Sequence, residues 1–488
     1  MRYRYSLISL CCFAVVACSP IGPDYVRPDV DTGNDWKSTK GADEITWNSA
    51  NPRDAVPKQD WWVIFGDTEL NDLEAKCLAN NPSLQASVAR LDQAKAQYGV
   101  QFAAFMPTVQ AGALAEGERI SANRPLSSYK VPNSTTIQNN FQPYVSASYE
   151  FDWVGRVRRS VESAKATVEQ AQAEKENTQL ILTGQLAQAY FRLRQTDEEI
   201  RSLEKSIGAQ EKVLLLITKR HELGASSELD VVQQAALTES TKAQIEQLRA
   251  HRIELEDLVA TLAGIPASGF HLAEGNLPNV LPVVPLGLPS TLLERRPDIA
   301  ASERAMAAAN AQIGVAKAAY FPMLTLAPTY LGYQSNGLSN LLSVPSMIWS
   351  FGLQASQTLF DGGRISSTVD YASAGYRLSV ANYKQTVLNG IQDVQDALGN
   401  VQQLNLARAS QDKSVANLTR ALEMSNIRYQ AGLDTALTIA LAQQNQLAGV
   451  RIQAQIKGSQ LTSTVGLIKA LGGSWEASAT SSPTVGKN

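Results

Sequence analysis

The chain is poor in side chains that could do covalent or metal chemistry, and those present do not form a set. Its 488 residues hold only three histidines and four cysteines. His221 opens "HELG", which lacks the second histidine that HExxH needs on one helix face to hold zinc. His251 falls on a charged helical stretch and His271 in a linker, both positions where a histidine is simply solvated. There is no GxGxxG ahead of a helix, no phosphate loop, no CxxC and no GxSxG. No enzyme, resident cofactor or metal centre is expected. The charged residues that stand out are Arg428 and Asp434, with Tyr429, in "RYQAGLDTAL". An acid there can cap a helix N-terminus, worth about 1 kcal/mol.

Gly432 in this stretch interrupts a long helical pattern, and Gly224 in "GASSEL" interrupts another, with no acid at the matching place. Both glycines are expected just past helix C-termini, with Ser226 or Ser227 capping the returning helix in the first case and Asp434 or Thr435 in the second. The near-neutral balance, a formal net charge of -3, gives no basic face for nucleic acid.

The N-terminus reads as a targeting segment. Arg2 and Arg4 precede an apolar run too short for a stop-transfer helix, and "VVAC" at Val15–Cys18 resembles a bacterial lipoprotein signal. Cys18 is then expected to carry diacylglycerol and an N-linked palmitate, several chains giving the stable anchoring that one does not. Ser19, rather than aspartate, follows it, which favours outer-membrane delivery. That leaves Cys77 as the thiol of the mature chain, a small core residue on an apolar helical face.

The remainder is one unit written twice. "NNPSLQASVARLDQAKAQYGVQFAAFMP" from Asn80 aligns with "RRPDIAASERAMAAANAQIGVAKAAYFP" from Arg295 at an offset of 215 residues. Downstream, Gly155-Arg156 matches Gly363-Arg364 and Gly224 matches Gly432 at an offset of 208, so seven residues are missing from a loop tip of the second copy. Each copy reads as a helix, two strands, a very long helix, the glycine reversal and a returning helix. The expected organisation is a signal peptide, 1–17, and a lipid-anchored extended or equatorial segment, 18–65. Repeat one, 66–275, has strands near 107–122 and 140–153, a long helix 156–223 and a returning helix 227–263. A proline-rich linker, 276–289, follows. Repeat two, 290–473, has strands near 322–334 and 346–360, a long helix 364–431 and a returning helix 435–471, before a flexible tail, 474–488.

In the strands, Val145, Ala147, Tyr149, Phe151 and Trp153 alternate with polar residues, and so do Trp349, Phe351, Leu353 and Ala355. The helical seams are rich in alanine and glutamine, suited to packing on one another, and no core that would cover such a sheet is evident. A transmembrane β-barrel, apolar face to lipid and polar face to a lumen, is the better home. Four strands cannot close a barrel, and open edges are not viable in lipid, so several chains must pool strands. The expected fold is a mixed α and β membrane protein, with a long coiled-coil α-helical barrel and a β-barrel completed by oligomerisation. A lipid-anchored structural coiled coil of the envelope, with a soluble sheet, is the reading of a different class.

Four segments carry a family resemblance: "CSPIGPDYVRP" (Cys18–Pro28), "LPSTLLERRPDIAASERAMAAANAQIGVAKAAYFP" (Leu288–Pro322), "LFDGGR" (Leu359–Arg364) and "RYQAGLDTAL" (Arg428–Leu437). Together they resemble the OprM- or NodT-type lipoprotein branch of TolC-like outer-membrane efflux proteins. The resemblance implies a homotrimer with a 12-stranded barrel, four strands per chain, above a periplasmic helical tunnel. It implies a passive exit duct for small molecules such as drugs, joined to a periplasmic adaptor and an inner-membrane RND-type pump. A duct for polypeptides shares this architecture. It also places Gly224, Ala225, Gly432 and Leu433 at adaptor-docking helix tips, and Asp434, Arg428 and Tyr429 at a periplasmic gate.

Overall fold

The computed structural model describes residues 19–28, 60–122, 136–278, 295–326 and 329–473. The signal peptide, Cys18, most of the proline-rich linker and the C-terminal tail lie outside the described residues. Three helices of the first repeat recur in the second at the same lengths. After helix α1 (Thr68–Asn80), the first repeat has α2 (Pro82–Ala103, 22 residues), α3 (Arg156–Glu222, 67 residues) and α4 (Glu228–Leu262, 35 residues). The second has α5 (Pro297–Ala318, 22), α6 (Arg364–Gln430, 67) and α7 (Ala436–Ala470, 35). At 1.5 Å per residue the long helices run for about 100 Å. Proline begins α2 and α5, where its missing N–H costs nothing. Asn81 caps α2, its Oδ1 accepting from the Ser83 N–H at 2.8 Å.

The strands are β1 (Thr108–Ile120), β2 (Thr136–Ser148), β3 (Glu150–Phe151), β4 (Met323–Leu326), β5 (Thr329–Tyr333), β6 (Met347–Ser350) and β7 (Leu353–Ser356). Two of the four expected strands, 140–153 and 346–360, are therefore broken in two, and the first of these starts at Thr136, earlier than the alternating apolar residues suggest. The break at Tyr149 is slight, because its carbonyl accepts the Leu326 N–H at 2.7 Å and the ladder passes on.

The chain divides into two compact units. The first, residues 1–28, 91–171 and 302–383, holds the strands. They form two antiparallel sheets, β1-β2-β5-β6 and β3-β4-β7. The register puts Ala111, Val145, Leu331 and Trp349 in one row across four strands, and Gln110, Ser146, Tyr330 and Ser350 in the next. Side chains in neighbouring rows point to opposite faces. The apolar row is open: Val145 is 49% exposed, Leu331 60% and Trp349 70%. The polar face is tied across strands, with Gln138 donating to Glu118 at 2.7 Å and Asn140 to Glu116 at 2.9 Å.

Residues 19–28 lie as a strap along this unit. The Ile21 N–H donates to the Val154 carbonyl at 2.9 Å, and the Asn310 side chain to the Pro23 carbonyl at 2.8 Å. Buried Arg159 donates to the Ile21 carbonyl and to Asp24 at 2.7 Å. Gly314 is needed for this fit, since a Cβ there would stand 2.6 Å from the Ile21 oxygen.

The second unit, residues 29–90, 172–301 and 384–488, contains a hydrophobic core built from segments far apart in the chain. Trp61, Trp62 and Phe65, from a short 3-10 turn, pack with Leu70, Leu73, Cys77, Tyr190, Phe191, Val259 and Leu461. Phe65 and Phe191 meet at 4.9 Å between ring centroids. Beside this core Asp197, fully buried, accepts from Arg194 at 2.8 Å, Arg252 at 2.7 Å and the Gly275 N–H at 3.0 Å. Breaking a buried set of this kind by removing one partner costs about 3–5 kcal/mol.

Glu74 faces the same interior without any such partner: it is 0% exposed and neither carboxylate oxygen is hydrogen-bonded. Burial therefore pushes its pKa well above the usual carboxylate range, and burial together with Glu74 pushes the Cys77 thiol up to about 12. The native state holds the Glu74 proton more tightly than the unfolded chain does, so stability is fullest in acid and falls as pH rises through the raised native pKa. Glu74→Gln removes that dependence. Thermal melts followed by circular dichroism between about pH 4 and about pH 8 should show the variant more stable than the parent at the upper end, with the gap closing in acid.

Candidate functional site

Both helix reversals belong to the second unit and share one backbone design. Gly224 has φ +73° and Gly432 φ +74°, the left-handed conformation that side chains disfavour. In the first, Gly224 N–H donates to the His221 carbonyl and Ala225 N–H to the Arg220 carbonyl, both at 2.8 Å. In the second, Gly432 N–H donates to the Tyr429 carbonyl at 3.0 Å and Leu433 N–H to the Arg428 carbonyl at 2.9 Å. This pair of bonds is the Schellman closure, which satisfies carbonyls that the ending helix leaves over. No atom lies within 4 Å of where a Cβ would stand on either glycine, so both are required by backbone conformation rather than by space.

The returning helices begin differently. Ser227 caps α4, its hydroxyl accepting from the Leu229 N–H at 3.0 Å while Asp230 accepts the Ser227 N–H at 3.0 Å, a complete capping box. Thr435 holds the N-cap position of α7 but its side chain makes no capping bond. Asp434, one residue before the N-cap, does not cap it either. Its Oδ1 accepts the Thr435 N–H at 3.1 Å and the Thr438 hydroxyl at 2.8 Å, and its Oδ2 accepts Arg428 Nε at 3.1 Å. The Thr438 hydrogen bond and then the Arg428 guanidinium hold the Asp434 carboxyl below its ordinary pKa, so it is ionised at neutral pH.

An acid is in fact present in both reversals. At the offset of 208, Ser226 corresponds to Asp434 and Asp230 to Thr438. In the first repeat the Ser226 hydroxyl donates to Asp230 at 3.1 Å, and in the second the Thr438 hydroxyl donates to Asp434 at 2.8 Å. The carboxylate and the hydroxyl have changed places. The repeat alignment contains this swap, and reading the turns without the following helical turn hides it.

The structure brings Arg428 and Asp434 together at the surface, the arginine side chain 56% exposed and the acid 21%. Tyr429 sits apart from them, buried against Ile217, Ala436 and Ile439. The Arg220 guanidinium lies 4.5 Å from the centre of its ring and donates to its carbonyl at 3.3 Å. Arg220, the repeat equivalent of Arg428, thus joins the two helical hairpins, a role that the sequence reading missed. Ala225, Gly224, Gly432 and Leu433 are all exposed, together with Leu223 at 83% and Leu229 at 62%. Among the described residues no group of acids, histidines and cysteines could hold a metal ion, and no helix is long and apolar enough to cross a membrane.

Residues 74–264 and 288–473 match the family described as outer membrane efflux protein, one segment on each repeat. The chain is 31% identical over 434 residues to the pyoverdine export outer membrane protein OpmQ of Pseudomonas putida, covering 88% of this chain and 92% of that protein. It is 32% identical over 476 residues to the probable efflux pump outer membrane protein TtgC of the same species, covering 96% of each. The outer-membrane channel OprN superposes with a TM-score of 0.85 at 28% identity, over 93% of this chain and 99% of the other. The chain belongs to the outer membrane efflux protein family. It is an outer-membrane efflux channel of a Gram-negative bacterium, of the TolC-like architecture in which a helical barrel joins a β-barrel completed between chains. The members matched here are channels, not enzymes.

Since the two glycines owe their place to φ alone, Gly224→Ala and Gly432→Ala should each cost about 1 kcal/mol. Hydrogen exchange should show the loss locally, as faster exchange of the Ala225 and Leu433 amides.

Proposed function

We propose that this chain assembles as a homotrimer into a 12-stranded barrel and serves as the passive exit duct of a tripartite pump. The observation that carries the reading is the open sheet. Its apolar row is exposed, and β1 and β3 at one end and β6 and β7 at the other have an edge without a partner strand among the described residues. In lipid each unpaired backbone group costs several kcal/mol, so such edges demand other chains. Four strand paths per chain fall short of the smallest barrels of about eight strands, and three copies supply twelve.

In this reading, Cys18 carries the diacylglycerol and palmitate, and the strap after it holds that residue's neighbour beside the foot of the strands. A periplasmic adaptor docks on the reversals at Gly224, Ala225, Gly432 and Leu433, where Leu223 and Leu433 offer exposed apolar contacts. An inner-membrane pump of the RND type supplies the energy, and the duct has no enzymatic activity or cofactor of its own. The relative named for an efflux pump supports the partnership, and the one named for pyoverdine export supports small molecules as cargo.

The closed periplasmic mouth is held through Arg428 and Asp434, with Tyr429 bracing the hairpins from within. An exposed ion pair is screened by solvent and contributes little, which suits a contact that docking must release. Asp434→Ala in planar bilayers should therefore raise single-channel conductance or open probability and weaken any preference for cations. Conductance and ion preference identical to the parent would leave Asp434 with its local hydrogen bonds and no gating role.

A further inference from the structure

At the foot of the strands the two repeats keep one cation and differ in its partner. Arg156 begins α3 and Arg364 begins α6, equivalent positions at the offset of 208. Glu150 of β3 holds Arg156, whose Nε donates to one carboxylate oxygen at 2.8 Å and whose Nη2 donates to the other at 2.5 Å. The equivalent of Glu150 in the second repeat is Thr358. Arg364 therefore has the same place and no matching acid, and among the described residues its side chain makes no ion pair. Asp361, the nearest acid in sequence, caps α6 by accepting the Gly363, Arg364 and Ile365 amides at 2.9, 3.1 and 2.8 Å. Those amides hold its carboxyl below the ordinary pKa, and the Arg364 charge is the smallest of the influences on it.

Both arginines line one recess of about 410 Å³ within the first compact unit. That volume is in the range of small-molecule sites, about 300–1,000 Å³. The strands fix which side its charged end faces. Glu150, Thr325 and Gln354 form a polar row across β3, β4 and β7, and Met323 pairs with Ser356 on the same face. Phe151, Leu324 and Ala355 form the row on the opposite face. Glu150, Met323 and Ser356 line the recess with the two arginines, so its charged end belongs to the polar face. The acids in the lining are Glu150 and Asp152, and both are engaged. Arg156 holds the first, while Asp152 accepts the Val157 and Arg158 amides and pairs with the Arg158 guanidinium at 3.3 Å. Phe321, Leu324 and Ile365 give the recess apolar wall, and Ser356, Thr358 and Thr368 bring hydroxyls to it.

We propose that this recess binds an organic anion, a carboxylate carried on an aromatic or aliphatic body, with Arg364 receiving the carboxylate. A guanidinium meets a carboxylate through two parallel N–H bonds, and the hydroxyls of the recess can donate to the same oxygens. The body lies against the apolar wall, which a neutral molecule of the same shape would use as well. Arg156 cannot serve in this way, because Glu150 already fills its fork. The duplication has kept the cation twice and its acid once, which converts a structural ion pair into a receptor for a charge from outside. The site recurs once per chain, so anionic cargo is favoured over neutral cargo along the polar face. That this face meets the cargo rests on the duct reading above; the binding itself does not.

The experiment uses the full chain in detergent and equilibrium dialysis of naphthoate and of its neutral carboxamide, with empty micelles subtracted. Naphthoate should bind the parent about tenfold more tightly than the carboxamide, as a charge-assisted contact predicts. Arg364→Gln removes the cation. Thr358→Glu keeps it and rebuilds the ion pair of the first repeat. Each variant should bring naphthoate to the carboxamide level and leave carboxamide binding as it was. The two act by different changes at exposed positions, so a folding defect in one leaves the other to decide. Arg377→Gln, at an exposed arginine of α6 outside the recess, should alter neither ligand. Equal binding of both ligands to the parent, or a naphthoate preference that survives in a folded variant, overturns the site. Conductance of the parent in planar bilayers is read separately. A conducting chain without the preference overturns the site and keeps the duct, whereas the preference without conduction keeps the site and overturns the duct.

Discussion

A β-strand edge in hydrocarbon has nowhere to put its backbone hydrogen bonds, and this one constraint shapes the whole chain. Among the described residues the strand paths pair with one another, and β1 and β3 at one end and β6 and β7 at the other have no partner strand on their outer side. Closure by further copies removes the edges. In the proposed assembly, the helices that leave the strands repeat with the symmetry of the barrel. The long helices are then free of the need for a conventional core over most of their length, which explains their small and polar seams.

Duplication is what makes such a ring economical in information. Equal lengths of 22, 67 and 35 residues in the two repeats place corresponding side chains at the same heights. Departures from equivalence then stand out. The strap of residues 19–28 exists once per chain and is met by residues of the second repeat at Asn310 and Gly314. Arg220 stacks on Tyr429, while its equivalent Arg428 turns outward to Asp434.

Much of this was legible in the sequence because it is periodic. Strand alternation, the absence of proline over long helices, and glycines at matched offsets each have a local physical cause. The core around Trp61, Trp62 and Phe65 was not legible, because it is assembled from segments far apart in the chain and none of them is periodic over the contact. Strand breaks were missed for a related reason, since side-chain alternation continues through Tyr149 while the pairing partner changes. At the reversals, the glycines could be read from local rules. The capping could not, because whether Asp434 reaches a first-turn N–H or its own neighbours depends on the rotation of the returning helix.

The exchange of Ser226 and Asp230 for Asp434 and Thr438 has a wider consequence. A hydroxyl-to-carboxylate bond between residues four apart works with either end carrying the charge, so swapping the ends keeps the bond. The negative charge meanwhile moves by four residues, about 6 Å along a helix axis. It leaves the shelter of a capping box and faces an arginine at the exposed tip. Mechanical integrity of the hairpin and its electrostatic potential are therefore separate variables, and a duplicated turn can keep the first constant while the second is rewritten.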